Sequence, residues 1–273
     1  MKILTEKSIK ECDKKAFQII KSQVLRKPDS LIGLAVGKTT DGLHKLISMD
    51  VKKNPYAWKK IKLFQIDENL GLSPQSPHSF NSEIRKELKN LFRIINPKNI
   101  FLIDGTKDPK ITIQEASKFI KKNDGIDLIV LGIGPEYDPH IAYNTTGKSS
   151  LNSGMRVVKL HPKIAEKILT IKQETRSGEQ EAGNRKHEAR SRKIMLHASC
   201  LSSLQGITLG IKDILKTKKA LLIAFGKDKT KSVSLAFNSN NKKKVNMKKA
   251  SASALLLHKD LTVILDKNAA KSL

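Results

Sequence analysis

A chain of 273 residues is long enough to bury a substantial core, as one large domain or two small ones, without disulfide or metal support. Its two cysteines, Cys12 and Cys200, lie far apart and form no CxxC pair, which argues against a disulfide framework and a structural zinc cluster. No apolar run reaches the roughly 18 residues of a membrane-spanning helix, and charges interrupt the N-terminus too often for a secretory signal. The composition predicts a soluble, cytoplasmic protein with no membrane partner.

Positive charge dominates the composition, because 52 Lys and Arg against 26 Asp and Glu give a net charge of +26. Such a charge suggests nucleic acid as a partner. Aromatic residues make up only 4% of the chain, however, and single-strand binders need aromatic rings on which bases stack. The lysines are also scattered along the chain, so we favour a solvated basic surface over a nucleic-acid interface. The positive electrostatic field of such a surface would also attract phosphorylated metabolites.

The apolar pattern alternates between helical and strand-like segments. Residues 6–26 have helical periodicity and end before Pro28. Short apolar runs, of the kind that a parallel sheet buries on both faces, lie at 31–36, 62–66, 99–103, 127–133, 220–225 and 262–266. Helical stretches are predicted near 39–50, 79–92, 111–122, 202–215 and 228–236. The alternation predicts an α/β fold: a single layered domain over residues 1–273, with a mostly parallel, Rossmann-like sheet flanked by helices.

Residues 172–193 interrupt this pattern. They contain no large apolar side chain and carry seven basic and four acidic residues, so they cannot pack into a core. We interpret them as an exposed basic excursion, with a lid over a site as the less favoured alternative.

Ligands of open parallel sheets bind beyond the carboxyl ends of the strands, so the residues that follow each predicted strand are the candidates for a site. Gly37, Lys38 and Thr39 follow the first such strand and lead into a helix, where backbone N–H groups and hydroxyls can hold a phosphate. Lys229 follows the fifth and offers an ammonium group. A lone glycine at such a turn is more often only structural, because the Walker and GxGxxG spacings are absent.

Proton-transfer groups follow the second and fourth strands. Asp67 and Glu68 come directly after a buried run, where one carboxylate can be desolvated and act as a base, although an acid at this place more often caps the next helix. Asp138 lies two residues before His140 in a turn rich in Gly and Pro, an arrangement that can orient the imidazole. The four strand ends together predict a site for a small phosphorylated substrate that undergoes proton transfer.

Several segments also resemble a known superfamily, that of glucosamine-6-phosphate deaminase/isomerase and 6-phosphogluconolactonase. The resemblance is collinear over about residues 30–270, and the deaminase branch fits better. The segments that carry it are GLAVGKTT (33–40), IDENLGL (66–72), GIGPEYDPHIAYN (132–144), LQGITLGIKDIL (204–215), IAFGKDK (223–229) and SASALLLH (251–258).

The resemblance implies an activity and roles for the candidate residues. It implies conversion of glucosamine 6-phosphate, or a related amino-sugar phosphate, to the ketose phosphate with release of ammonia. The residue matching Asp67 would be the base that moves a proton between C1 and C2, and those matching Asp138 and His140 would assist ring opening. The turn at 37–39 and Lys229 would bind the phosphate. The family uses no metal or organic cofactor, and its members are often homo-oligomers.

This chain departs from the family at several of these positions. Lys38 replaces the second glycine of the phosphate turn, Pro139 replaces the glycine of a DGH tripeptide, and the turn before it is about two residues longer. Thr145 stands where deaminases usually place a Glu of the ring-opening relay, after a HIAFN-type segment. The phosphate-binding arginine of the family should fall in or near 172–193, where the candidates are Arg176, Arg185, Arg190 and Arg192.

These departures keep two alternatives open beside the deaminase. One is a 6-phosphogluconolactonase-type hydrolase, in which His140 would activate water and no enediol base is needed. The other is a catalytically degenerate relative that binds a sugar phosphate or associates with nucleic acid.

Overall fold

The computed structural model describes residues 1–166, 204–238 and 244–273, and a parallel β-sheet runs through their centre. Seven strands form it in the order β1-β10-β9-β6-β2-β3-β5, and every neighbouring pair is parallel. These strands are β1 (Lys2–Glu6), β2 (Leu31–Leu34), β3 (Lys62–Gln65), β5 (Ile100–Phe101), β6 (Leu128–Leu131), β9 (Ala220–Ala224) and β10 (Leu261–Asp266). The predicted α/β class is confirmed, and so are the six predicted strands, some in shortened form.

Helices cover both faces of the sheet. They are α1 (Ile9–Arg26), α2 (Asp41–Lys53), α3 (Pro55–Trp58), α4 (Phe80–Glu87), α5 (Lys89–Phe92), α6 (Pro109–Lys122), α7 (Ile211–Leu215) and α8 (Thr230–Phe237). Three short 3₁₀ segments accompany them at Pro97–Asn99, Lys227–Lys229 and Ser251–Leu257. The predicted helices near 6–26, 39–50, 79–92, 111–122 and 228–236 are present.

The strands read as continuous apolar runs because their alternate side chains enter two different cores. In β6, Leu128 and Val130 pack on the face covered by α1, α2, α4 and α5. Ile129 and Leu131 pack on the opposite face, with α6, α7 and α8. A strand buried on both faces has no polar side, and this produces the pattern that the sequence shows.

A second, three-stranded sheet was not predicted. It is antiparallel, in the order β4-β8-β7, and consists of β4 (Asp67–Asn69), β7 (Arg156–Lys159) and β8 (Gln205–Thr208). Its strands are short, and β7 and β8 lie almost fifty residues apart in the chain, so local periodicity gave no indication of their pairing.

The helix predicted over 202–215 is therefore wrong in its first half. Gln205–Thr208 is strand β8, and helix α7 begins only at Ile211. Gly210 has an extended backbone, with φ −81° and ψ 164°, and a Cβ atom on it would lie 2.1 Å from the carbonyl oxygen of Ser153, so the chain here is non-helical and in close backbone contact with its neighbour. The apolar residues around Gly206 and Gly210 are spaced like one helical face, which explains the incorrect prediction. Residues 202 and 203 lie outside the described residues.

Strand β1 was not predicted, because the charges of the N-terminal segment were interpreted only as evidence against a secretory signal. It lies at the edge of the large sheet, where it pairs with β10 alone, and an edge position tolerates the charged side chains of Lys2 and Glu6 at its two ends. The predicted excursion at 172–193 lies outside the described residues. Within the described ranges, no helix combines the length and the apolar character needed to cross a membrane.

Candidate functional site

The candidate site lies where the strand order reverses direction. From β2 the chain adds β3 and β5 on one side, and it then returns to place β6 on the other side of β2. Crevices form outside the carboxyl ends of strands at such a switch point. The turn at 37–39 follows β2, and the segment 132–140 follows β6, so the two flank this crevice. They touch there, because a Cβ on Gly132 would lie 3.9 Å from Cβ of Thr39.

The phosphate-type turn has the backbone shape that the sequence suggested. Gly37 adopts a φ of 129°, which residues with a side chain rarely adopt, and its carbonyl accepts hydrogen bonds from the amide and hydroxyl of Thr40. Helix α2 begins at the next residue and has no side-chain cap at its N-terminus. Lys38 is exposed at the turn. The backbone N–H groups and the helix dipole at this end of α2 favour an anion.

Lys229 reaches the segment that follows β6 from a third strand end. It lies after β9, and its Nζ donates a hydrogen bond to the carbonyl of Ile133, at 3.0 Å, in the segment that follows β6. The same Nζ lies 3.9 Å from the Asp228 carboxylate, and the side chain is 16% exposed. A mostly buried ammonium thus stands beside the glycines of the 132–134 segment.

Asp138 and His140 are brought together as predicted. His140 Nδ1 lies 2.9 Å from Asp138 Oδ2, and the Thr146 amide donates to Oδ1 of the same carboxylate. Burial of Asp138 opposes its ionisation, but these hydrogen bonds prevail and hold its pKa below the usual value. Because Asp138 occupies Nδ1, Nε2 is the imidazole nitrogen left for a substrate.

Gly134 closes the turn that carries this pair. Its amide donates to the His140 carbonyl at 2.8 Å. A Cβ at Gly134 would lie 2.2 Å from the Asp138 carbonyl oxygen and 2.6 Å from His140 Nδ1, so a side chain here would displace the pair.

Asp67 is the first residue of β4 and is almost completely buried, with 6% exposure. Burial, together with the neighbouring charge of Glu68, raises the pKa of Asp67 to about 8. A carboxyl group with a pKa near neutrality can both take up and release a proton, as a general base must.

Glu68 has a structural role instead. Its carboxylate is fully buried and accepts hydrogen bonds from the amides of Asn69, Phe80 and Asn81 and from the Ser79 hydroxyl. Three of these donors belong to the start of α4, so Glu68 caps that helix across space. Of the two interpretations of this carboxylate pair, the helix cap applies to Glu68, and Asp67 remains the candidate base.

Tyr143 and Asn69 connect the two halves of the site, and sequence reasoning gave neither a role. The Tyr143 hydroxyl donates to Asn69 Oδ1 at 2.8 Å, and the Tyr143 amide donates to Thr208 Oγ1 at 3.0 Å. Thr208 is paired with Asp67 in the second sheet. Asn69 lies two residues after Asp67, and that spacing on a strand, which puts both on one face, was the available signal.

A separate groove lies elsewhere in the described residues. Its volume is about 740 Å³, it runs between α2 and the α4–α5 segment, and none of the seven predicted site residues lines it. Asp41, Glu83 and Glu87 bring carboxylate oxygens within 4.8 Å of one another there, a spacing that could hold a metal ion. Burial and the charges of Glu87 and Asp41 raise the pKa of Glu83 to about 7, so proton uptake can relieve this repulsion.

Comparison with known proteins decides the family. The sequence model of the glucosamine-6-phosphate isomerases/6-phosphogluconolactonase family matches residues 5–162. The glucosamine-6-phosphate deaminase of Clostridium botulinum (strain Langeland / NCTC 10281 / Type F) is 34% identical over 100% of this chain and 99% of its own length. That of Clostridium novyi (strain NT) is 32% identical, with 100% of both chains covered.

The chain belongs to this family. Solved structures show the same fold: a monomeric glucosamine-6-phosphate deaminase matches with a TM-score of 0.76 and 24% identity, with 100% of both chains covered. The 6-phosphogluconolactonase from Trypanosoma cruzi matches with a TM-score of 0.71 and 18% identity, over 100% of this chain and 96% of the other.

The departures from the family pattern can now be placed in the fold. Thr145, at the position of the usual Glu, begins a tight turn. Its carbonyl accepts hydrogen bonds from the amides of Lys148 and Ser149. The next amide, that of Thr146, is the one that binds Asp138. The backbone of this turn therefore supports the acid that holds His140.

The four arginines predicted as candidates for the phosphate-binding residue, Arg176, Arg185, Arg190 and Arg192, lie outside the described residues. Arg156, on β7, is engaged with the loop that follows the site. Its guanidinium donates to Asn144 Oδ1 at 3.0 Å and to Ser149 Oγ at 2.9 Å.

Proposed function

We propose that this protein is an aldose–ketose isomerase of the deaminase type, which converts glucosamine 6-phosphate or a related amino-sugar phosphate to the ketose phosphate and ammonia. The observation that supports the proposal is that a buried carboxyl group, Asp67, follows β3 and the Asp138–His140 pair follows β6, the two strands on either side of β2 in the parallel sheet. A base and an oriented imidazole beside cationic and helix N-terminal groups suit proton transfer on a phosphorylated sugar.

In the proposed reaction, the phosphate lies against the turn at 37–39, with Lys229 beside it. His140, oriented by Asp138, moves a proton between the ring oxygen and the C1 hydroxyl and so opens the pyranose to the aldehyde. Asp67 then removes the proton from C2 and returns one to C1, while the C1 oxygen takes up a proton and the amine loses one, which leaves a hydroxymethyl group at C1 and an imine at C2. Water adds to this carbon, and ammonia leaves as the ketone forms.

The test is an NMR time course with glucosamine 6-phosphate in heavy water. We expect fructose 6-phosphate and ammonia, with deuterium incorporated at C1 of the product. The Asp67→Asn variant should lose turnover by about 10³-fold or more while it still binds the substrate, because the amide has the same shape but cannot accept the proton. Full activity of this variant would contradict the proposal, and Asp29→Asn, at an exposed acid, is the matched control.

A second candidate, hydrolysis of 6-phosphogluconolactone, is favoured by Thr145 at the position of the relay Glu. Lactone opening needs His140 to activate water but does not need Asp67 as a carbon base. Freshly prepared lactone, followed against its spontaneous hydrolysis, separates the two reactions. Faster opening that survives Asp67→Asn, without exchange of any carbon-bound proton, would assign the protein to the hydrolase branch.

Location and assembly remain part of the proposal. A phosphorylated sugar substrate is consistent with the predicted cytoplasmic location. A homo-oligomer is expected from the family resemblance alone, and light scattering of the purified chain would test it. Nucleic acid stays the less favoured partner.

A further inference from the structure

Tyr143 holds the loop of the Asp138–His140 pair against the strand of Asp67. Its side chain is 8% exposed, and its hydroxyl donates to Asn69 Oδ1. Its ring lies over Gly206 so closely that a Cβ there would be 2.8 Å from Cδ2 of Tyr143. The ring also stacks on Phe80, with 6.0 Å between the centroids.

All of these contacts lie on one face of the small sheet. Asp67 is paired with Thr208, and Asn69 with Gly206, so these four residues alternate onto the same face. Tyr143 touches three of the four through its hydroxyl, its ring and its amide. The fourth is Asp67, the proposed base. A residue three positions after His140 therefore covers the surface from which Asp67 projects.

The hydroxyl bond lies at the far end of a long irregular connection, because residues 132–144, which follow β6, contain no helix or strand. Such a connection has many conformations to restrict, and a buried hydrogen bond at its far end restricts them.

We propose that Tyr143 is a positioning residue, whose hydrogen bond to Asn69 fixes the separation between Asp67 and the Asp138–His140 pair. This inference rests on the proposed function, because it concerns the two groups that would transfer protons to one substrate. Substrate binding would depend on the phosphate-binding groups at the other strand ends, the turn at 37–39 and Lys229. The proton-transfer steps would depend on the separation between Asp67 and the Asp138–His140 pair. Misplacement by about 1 Å can reduce turnover a hundredfold.

The first test replaces Tyr143 with phenylalanine, which keeps the ring and removes the hydroxyl. We expect kcat to fall by about tenfold to a hundredfold, with KM within about twofold of the wild-type value. Tyr56→Phe is the matched control, because Tyr56 is 88% exposed on α3, and its kcat should equal that of the wild type. Unchanged kcat in Tyr143→Phe, or a fall in kcat that Tyr56→Phe shares, would overturn the inference.

A double-mutant cycle separates positioning from general loss of stability. Asn69→Ala should reduce kcat to a similar extent, and the double variant should be no slower than the worse single variant, because both remove the same hydrogen bond. Additive losses would contradict the inference. Thermal unfolding of each variant shows whether the protein remains folded at the assay temperature.

Crystal structures of the wild type and Tyr143→Phe keep this inference distinct from the proposed function. If the wild type converts no amino-sugar phosphate, the proposed function fails, but the separation between Asp67 and His140 can still be compared. We expect a longer or more variable separation in Tyr143→Phe. If the separation between Asp67 and His140 agrees within about 0.2 Å in the two structures, the inference is overturned, whatever activity is measured.

Discussion

At the scale of single residues, Asp67 shows how burial changes the protonation of a carboxyl group. Its carboxyl group is almost inaccessible, and its neighbour Glu68 keeps both carboxylate oxygens engaged with donors of its own. The negative charge of Glu68 and the loss of water both disfavour ionisation of Asp67, which raises its pKa to about 8. The placement that suits a proton acceptor also makes the ionised group costly to the fold.

The raised pKa of Asp67 predicts a pH dependence of activity. The base must be ionised to accept a proton, so kcat/KM should rise about tenfold per pH unit up to roughly pH 8 and level off above it. The measurement is kcat/KM from about pH 6 to pH 9.5, above the second phosphate ionisation near pH 6. If kcat/KM stays constant across this range, either the pKa of Asp67 lies outside it or Asp67 is not the base.

The same shift predicts a pH dependence of stability, which provides a control independent of substrate. Because the folded state binds this proton more tightly than the unfolded state, the stability from Asp67 is fully present below about pH 4 and is lost as pH rises through about 8. Asp67→Asn should therefore raise the free energy of unfolding at about pH 9, by roughly 1–3 kcal/mol, and have little effect at about pH 4. Equal effects at both pH values would contradict this account.

At the scale of elements, helix α4 depends on a residue that lies outside it. Its first amides point at Glu68, which comes from β4, and the Ser79 hydroxyl caps the same end. The helix therefore fixes the strand that begins with Asp67, and the strand in turn completes the helix. Two short elements that would be marginal alone support each other.

Removal of the Glu68 carboxylate should expose this mutual dependence. Glu68→Ala leaves several buried donors without an acceptor, so we expect the free energy of unfolding to fall by roughly 2–4 kcal/mol in urea titrations. Glu68→Gln keeps one acceptor oxygen and should lose less. Glu115→Ala, at a half-exposed acid on α6, should change stability by less than about 0.5 kcal/mol. Overlapping unfolding curves for Glu68→Ala and Glu115→Ala would refute this role.

At the scale of the whole molecule, the net charge of +26 makes the protein an attractive target for anions. The phosphate of a phosphorylated sugar carries close to two negative charges at neutral pH, so we expect this charge to hasten its capture. Such long-range attraction acts on encounter and binding, and we expect it to leave the proton-transfer steps unaffected.

Salt should therefore weaken substrate binding without slowing turnover. Between about 20 mM and 0.3 M NaCl the Debye length falls from roughly 20 Å to about 6 Å, and we expect KM to rise by about threefold to tenfold while kcat stays constant. Circular dichroism at each salt concentration shows that the fold persists. If KM stays constant over this range, the charge has no part in substrate capture.

The sequence determined six of the seven strands of the large sheet, because the central strands are buried on both faces and must be apolar throughout. It also identified the strand ends, since a glycine turn, a carboxylate and an Asp-x-His spacing can each be recognised from adjacent residues. The segments that carry the resemblance overlap the matched region of the family, residues 5–162, and extend beyond it.

Only the tertiary structure decided which residues at these strand ends meet across the fold. Strand β8 pairs with β4 across more than 130 residues, and Tyr143 bonds to Asn69 across 74, so no local pattern could indicate either contact. The division of roles between Asp67 and Glu68 likewise depends on which carboxylate meets the start of α4. Sequence patterns record which residues are buried or turn the chain, whereas the assignment of partners depends on packing between elements that are distant in the chain.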